Sequence, residues 1–403
     1  NDKGVAIGTI YPNAGSHSYT AYYYASKLFE NAQSNQINVY VNDKIHTKLT
    51  LTSNTTNNVN LNDKIKFTVK LVDGNNSPIA NESVILYNDE SIWTNLITDE
   101  NGSADFVYSQ SDFCILKIKA VLPVSMKYYS AYSDILKIAV SKDNSFLTLA
   151  FMIDALDEGD TLNLAKDYIF NNFSDADYIN GILINNRHFT INGNGHRIDG
   201  NSLARIFHIM NSNITLSNLY ISNAGSYFND ALDYGAVLND YMGILTLNNC
   251  TFENNSLKGE SYIWGGAIYN KGILNVSDSV FKNNSVISNK SYARSGAIFN
   301  NFGGIAGISN SVFENNYAIG SNSDGGALSS FGVVDIDNSI FINNYVNGSR
   351  EGMGGALYIG QGSNATCIKS VFINNSALSS NKSLEYGGAI SDDSEINCYY
   401  NIF

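Results

Sequence analysis

The chain has 403 residues, enough for two or three domains, yet only 15% are charged and the formal net charge is −13. Nucleic acid and an anionic membrane surface are poor partners for it, because both carry dense negative charge of their own. Few charges beside many Asn, Ser, Gly and Tyr residues suit a long extracellular β protein, whose neutral polar side chains cover the solvent face.

Residues 1–42 contain two tyrosine-rich strand patterns, at 19–23 and 36–41, that echo 128–132 and 136–140. They read as the C-terminal part of a preceding sandwich; the alternative is an edge strand added to the complete one. Residues 43–141 hold short alternating strands at 48–52, 66–71, 83–87, 104–108, 117–121, 128–132 and 136–140. Turn signals around Asp73-Gly74 and Asn101-Gly102 separate them. Such a run makes one antiparallel β-sandwich of immunoglobulin type, without the Cys…Trp…Cys signature of antibody domains.

The remaining residues, 142–403, read as a parallel β-solenoid. Ser145 caps a short helix whose apolar residues Phe146, Leu149, Ala150, Ile153 and Leu156 recur at helical spacing. Laid across the first coil, this helix blocks an otherwise open core and sheet edge. Strands begin at 159–164 and continue at 182–184, 189–193 and 214–221. From about residue 234 two words recur. Gly-Gly-Ala-(Ile/Leu) stands at 265–268, 325–328, 354–357 and 387–390, with weaker copies at 295–298 and 235–237. Phe-x-Asn-Asn starts at Phe252, Phe281, Phe313, Phe341 and Phe372, and Phe403 opens a sixth copy, 28 to 32 residues from one phenylalanine to the next.

Aligned on the phenylalanine, the residue five places earlier is Leu247, Val276, Ile308, Ile336, Cys367 and Cys398, flanked by polar residues such as Thr246, Asn248, Asn275, Ser277, Asp335 and Asp337. This period of two marks a strand with one buried face, and strands so short bury enough only by stacking on their copies. Stacked copies make ladders, of phenylalanine rings and of asparagine amides, while the Gly-Gly corner needs positive φ or close approach to the next coil. The array is expected to be truncated at the C-terminus. Cys367 and Cys398 fall on adjacent coils, where two packed thiols are expected and a disulfide is the alternative. The cysteines show no metal-ligand spacing, and neither metal nor cofactor is expected.

Three resemblances follow from these residues. Gly159-Asp160-Thr161-Leu162 and the stretch Ile191-Asn192-Gly193-Asn194-Gly195-His196 to Gly200 resemble the opening coils of the pectin-lyase-like right-handed β-helix superfamily. The two repeated words resemble those of polymorphic outer-membrane proteins. Together with the immunoglobulin-like unit, the whole resembles the adhesin-like surface proteins of methanogenic archaea. The resemblance implies an extracellular, surface-located protein with immunoglobulin-like spacers and a displayed right-handed β-helix. Attachment to membrane or wall would lie in regions outside this chain.

The functional expectation is adhesion, through binding a glycan or protein on a neighbouring cell surface. Segments between Phe-x-Asn-Asn and the next Gly-Gly-Ala differ in every copy and are expected to be loops on one side of the stack. Tyr262, Trp264, Tyr292 and Tyr386 stand there as aromatic faces for sugar rings. Asn-x-Ser/Thr words at Asn54, Asn81, Asn213, Asn275, Asn364 and Asn381 are acceptor sequences for N-glycosylation. Two alternatives are a structural stalk without a ligand and a polysaccharide lyase or glycoside hydrolase. The hydrolase alternative has few acids to use: Asp335 with Asp337, two apart on one strand, and Asp392 with Asp393. His196 lies in a Gly-Asn-Gly turn and reads as a turn residue, so no catalytic residue is assigned.

Overall fold

The computed structural model describes residues 5–55, 58–226, 232–380 and 385–403. The chain divides into two compact units: residues 1–55, 64–109 and 116–137, and residues 56–63, 110–115 and 138–403.

In the first unit, Thr47–Ser53, Lys64–Asp73 and Ser103–Ser109 form one antiparallel sheet. Ser83–Asn88 lies between Ser91–Ile97 and Cys114–Leu122 in a second. Alternation buries Ile65, Phe67, Val69 and Leu71 from the first sheet, and Val84, Leu86, Ile118 and Ala120 from the second. Trp93 joins them, with its ring 5.5 Å from Phe67 and 5.2 Å from Phe106. Its strand, Ser91–Ile97, is an addition to the strands expected from sequence. The turns are fixed as expected: Asp73 Oδ1 accepts from the amides of Asn75 and Ser77, and Asp99 Oδ1 from those of Asn101 and Ser103. Gly15–Tyr19 pairs antiparallel with Ile37–Val41, and no sandwich strand is paired to either among the described residues.

The second unit is a right-handed parallel β-solenoid. Nine strands from Thr161–Asn163 to Glu395–Tyr399 stack in a first sheet, with eight in each of the second and third sheets. Its interior is one continuous apolar cluster running from Phe146 of the helix to Phe372. The phenylalanine ladder runs from Phe252 to Phe403, with ring centroids 5.1, 4.8, 4.8, 4.9 and 5.1 Å apart. The two asparagines of each word do different work. The first, Asn254, Asn283, Asn315, Asn343 or Asn374, takes φ between 52° and 57° and turns the corner. The second is buried at Asn255, Asn284, Asn316 and Asn344 and partly buried at Asn375. From Asn255 to Asn375, each Nδ2 donates to the next Oδ1 at 2.8 or 2.9 Å and also to a backbone carbonyl.

Two further ladders lie in the same coils. Asn239, Asn270, Asn300 and Ser330 are linked at 2.7, 2.8 and 3.0 Å. The hydroxyls of Ser279, Ser311, Ser339 and Ser370 each accept from the amide of the residue stacked beside it, Cys250 for the first. The Gly-Gly word also divides its labour. The first glycine has φ of 64°, 55°, 65° or 57° at Gly265, Gly325, Gly354 and Gly387. The second sits where a Cβ would strike the next coil, 2.1 Å from Gly355 O in the case of Gly326. Cys367 and Cys398 are register partners, and both thiols are free.

The helix Phe146–Asp154 covers the first coil and is fixed at both ends. Ser145 Oγ caps the amide of Thr148 as the sequence suggests. Beyond that, the fully buried Asp175 accepts from the amides of Phe146 and Leu147 at 3.0 and 3.1 Å. At the other end, Arg187 donates to the carbonyls of Ile153 and Leu156 at 3.0 and 2.7 Å. An anion at the positive end and a cation at the negative end both oppose the helix dipole. No helix of the described residues is long and apolar enough to cross a membrane.

Candidate binding corner on the solenoid

The segments expected as loops are strands. Ser256–Gly259 with Tyr262–Trp264, Ser285–Ser288 with Tyr292–Arg294, Tyr317–Asp324 and Tyr345–Met353 stack in parallel, and Ser376–Ser379 and Glu385–Tyr386 continue them as a fourth sheet. Adjacent coils bring the backbones to strand spacing whatever the side chains are, so pairing survives the sequence variation. One column in it does stay apolar. Five residues after each phenylalanine stand Leu257, Val286, Ala318, Val346 and Ala377, and they form a second small core with Ile263 and Ala293.

The other face of this sheet looks onto the outside of the third sheet, and the two make a corner. From the fourth sheet comes the register column Tyr234, Trp264, Arg294, Asp324, Met353, Tyr386. From the third comes Leu238, Tyr269, Phe299, Ser329, Tyr358. Their aromatic members pack together. Trp264 lies 6.0 Å from Tyr269 and 5.2 Å from Phe299. Ser329 is too small to continue the row, and Phe331 fills its place, 5.6 Å from Phe299 and 5.8 Å from Tyr358.

At that coil the apolar lining is interrupted by charge. Arg294 lies 5.1 Å over the Tyr292 ring and 4.7 Å from the Phe331 ring. Its Nε stands 2.8 Å from Oδ2 of Asp324, which is fully buried. The contact is close enough for an ion pair but off the line that a hydrogen bond needs, so among the described residues neither oxygen of Asp324 has a hydrogen-bond partner. Burial pushes this carboxyl up, Glu351 and Asp393 add to the shift by repulsion, and Arg294 opposes it, leaving it at about 6. Glu351 accepts from Asn322 at 2.7 Å, and Asp393 from the Tyr358 hydroxyl at 2.6 Å.

The four aromatic residues singled out from sequence divide between settings. Tyr262 and Tyr292 stack on each other at 5.5 Å with 13° between planes, so one face of each is covered; Tyr292 also meets Arg294, while Tyr262 keeps 42% of its surface exposed. Trp264 is packed into the corner, with its Nε1 buried and without a hydrogen-bond partner. Tyr386 is half exposed at the far end of the same column. The residues that sequence reasoning missed are Arg294 and Asp324. Each immediately precedes its copy of the first word, Ser295-Gly296 or Gly325-Gly326, and alignment on that word would have placed them in one column with Trp264, Met353 and Tyr386.

The acids considered for hydrolysis lie elsewhere or are engaged. Asp335 and Asp337 are exposed on the first sheet, beside a groove of about 430 Å³ lined also by Asn248, Asn275, Ser309 and Thr366. Gly307 opens this groove, since a Cβ there would meet only Asn275 Oδ1, at 3.8 Å. His196 sits in its turn with Nδ1 3.2 Å from Asp167. Among the acceptor asparagines, Asn381 lies outside the described residues. No protein-family model matches the sequence, and no curated protein matches it.

Proposed function

We propose that this is an adhesin-like extracellular surface protein whose solenoid binds a glycan or a protein of a neighbouring cell at the corner between its third and fourth sheets. The observation that carries the reading is the Arg294–Asp324 pair in a column otherwise occupied by Tyr234, Trp264, Met353 and Tyr386. A buried carboxylate without hydrogen bonds costs stability, and the other coils stack without one. A scaffold has no need of it, whereas a recognition surface does. Variable side chains on a rigid stack, with aromatic and charged groups brought together, are the arrangement that recognition uses.

The test is a glycan-array assay on the whole chain, with and without calcium, followed by analysis of any retained polysaccharide. Retention of an intact glycan, lost in Tyr262→Ala and Tyr292→Ala, supports the reading. A second reading, a glycoside hydrolase, draws on the groove beside Asp335 and Asp337, where two carboxylates on one strand face share a cleft. Shortened products that vanish in Asp335→Asn or Asp337→Asn would replace the first reading with the second.

A further inference from the structure

We infer that the Arg294–Asp324 pair is a proton-operated clasp, holding the corner closed while Asp324 is ionised and releasing Arg294 when Asp324 takes up a proton. The inference rests on the corner being the functional surface and names its regulation. The geometry is that of a single-point hold. Among the described residues, Asp324 has no exposed surface, no hydrogen-bond donor on either oxygen, and one counter-charge, Arg294. Arg294 keeps 21% of its side chain exposed and lies between the rings of Tyr292 and Phe331. It therefore has both a route to solvent and aromatic neighbours that its departure would uncover.

The surroundings make the hold sensitive to protons. The charged and titratable groups facing Asp324 are Arg294 from the strand Tyr292–Arg294, Glu351 from Tyr345–Met353, Tyr358 from Leu357–Ile359, and Asp393 just beyond Ile390–Asp392. Burial disfavours the charged carboxylate most, the attraction of Arg294 opposes this, and repulsion from Glu351 and Asp393 adds to it, which raises the carboxyl to about 6. A neutral Asp324 no longer offsets the cost of keeping a guanidinium partly buried. Arg294 then gains by turning to water, and the contact between Arg294 and Phe331 opens.

Trp264 is the built-in reporter. It precedes Arg294 in the register, packs on Phe299, and is one of only two tryptophans in the chain. Trp93→Phe would leave Trp264 as the sole emitter. Its emission is expected to change between pH 5 and 7 with a midpoint near 6, and the change is expected to disappear in Trp93→Phe/Asp324→Asn. If Trp93→Phe fails to fold, the difference between wild-type and Trp264→Phe spectra gives the same curve. An emission that is flat over this range, or that titrates identically in the Asp324→Asn variant, overturns the clasp. Ligand assays are a separate arm. A clasp that titrates in a protein that retains no glycan and no cell-surface protein would leave the device standing and remove the binding reading.

Discussion

The interior ladders and the corner column are built from the same coils, yet they treat repetition in opposite ways. Inside the solenoid, Phe stacks on Phe and Asn donates to Asn, so each residue is the partner its neighbour requires. At the corner, the successive residues are Tyr, Trp, Arg, Asp, Met and Tyr, and each meets a different neighbour. Identity is enforced where a side chain satisfies a copy of itself. Where the backbone alone carries the pairing, side chains are free to be chosen for something else.

The comparison is broken most severely at the second glycine of the first word. Gly326→Ala would place a methyl 2.1 Å from Gly355 O and 2.6 Å from Tyr345 N, both backbone atoms that cannot move without shifting a coil. A loss of about 4 kcal/mol or more is expected, read from denaturant unfolding. Gly307→Ala, in an open groove, is the control and is expected to change stability by less than about 0.5 kcal/mol. Next comes the amide ladder. Asn316→Ala removes the acceptor of the Asn284 amide and the side-chain donor to the Phe281 carbonyl, and leaves Asn344 Oδ1 with only the backbone amide of residue 316, with an expected loss of about 3 kcal/mol. Asp175→Ala should cost about 2 kcal/mol, since it frees two buried helix amides, and faster hydrogen exchange confined to the helix would check it.

Most of the solenoid was legible because its words repeat. Phe-x-Asn-Asn predicts the ring and amide ladders directly, and the Gly-Gly corner predicts positive φ. A serine two places before the phenylalanine, at Ser279, Ser311, Ser339 and Ser370, repeats in four of the six coils. In a chain so rich in serine, however, one more small hydroxyl does not stand out as a ladder. The fourth sheet left almost no trace, because parallel pairing of backbones imposes nothing on residues such as Lys258, Ile287, Ile319 and Asn347. Arg294 and Asp324 were hidden for a related reason. An ion pair joins unlike residues, so no column of identical letters announces it. Aromatic residues are the more visible candidates from sequence, although the Tyr262 and Tyr292 rings prove to be occupied by each other.

The smallest expected effect has the opposite sign and bears most directly on the difference between scaffold and surface. Replacing the pair by apolar residues, as Arg294→Met/Asp324→Leu, makes the column resemble Trp264 and Met353. Exchange of a buried ion pair for packed hydrophobic side chains is commonly neutral or stabilising, so a gain of about 1 kcal/mol is expected at pH 7. The gain should depend on pH in a set direction. Unfolded, the carboxyl titrates near 3.8; folded, near 6. Between these values the native state holds a proton that the unfolded chain has released. The contribution of the buried Asp324 carboxyl to stability is therefore full below pH 3.8, where it is neutral in both states, and declines as pH rises through 6, by about 3 kcal/mol in all. The double variant lacks that decline, so it should be the less stable protein at pH 4 and the more stable one at pH 7. Chemical denaturation at the two values measures it. If the wild type proves the more stable at pH 7 and the gap does not change with pH, the pair is a structural element of the scaffold, and the contrast between constant ladders and a variable working column fails at the residues on which it most depends.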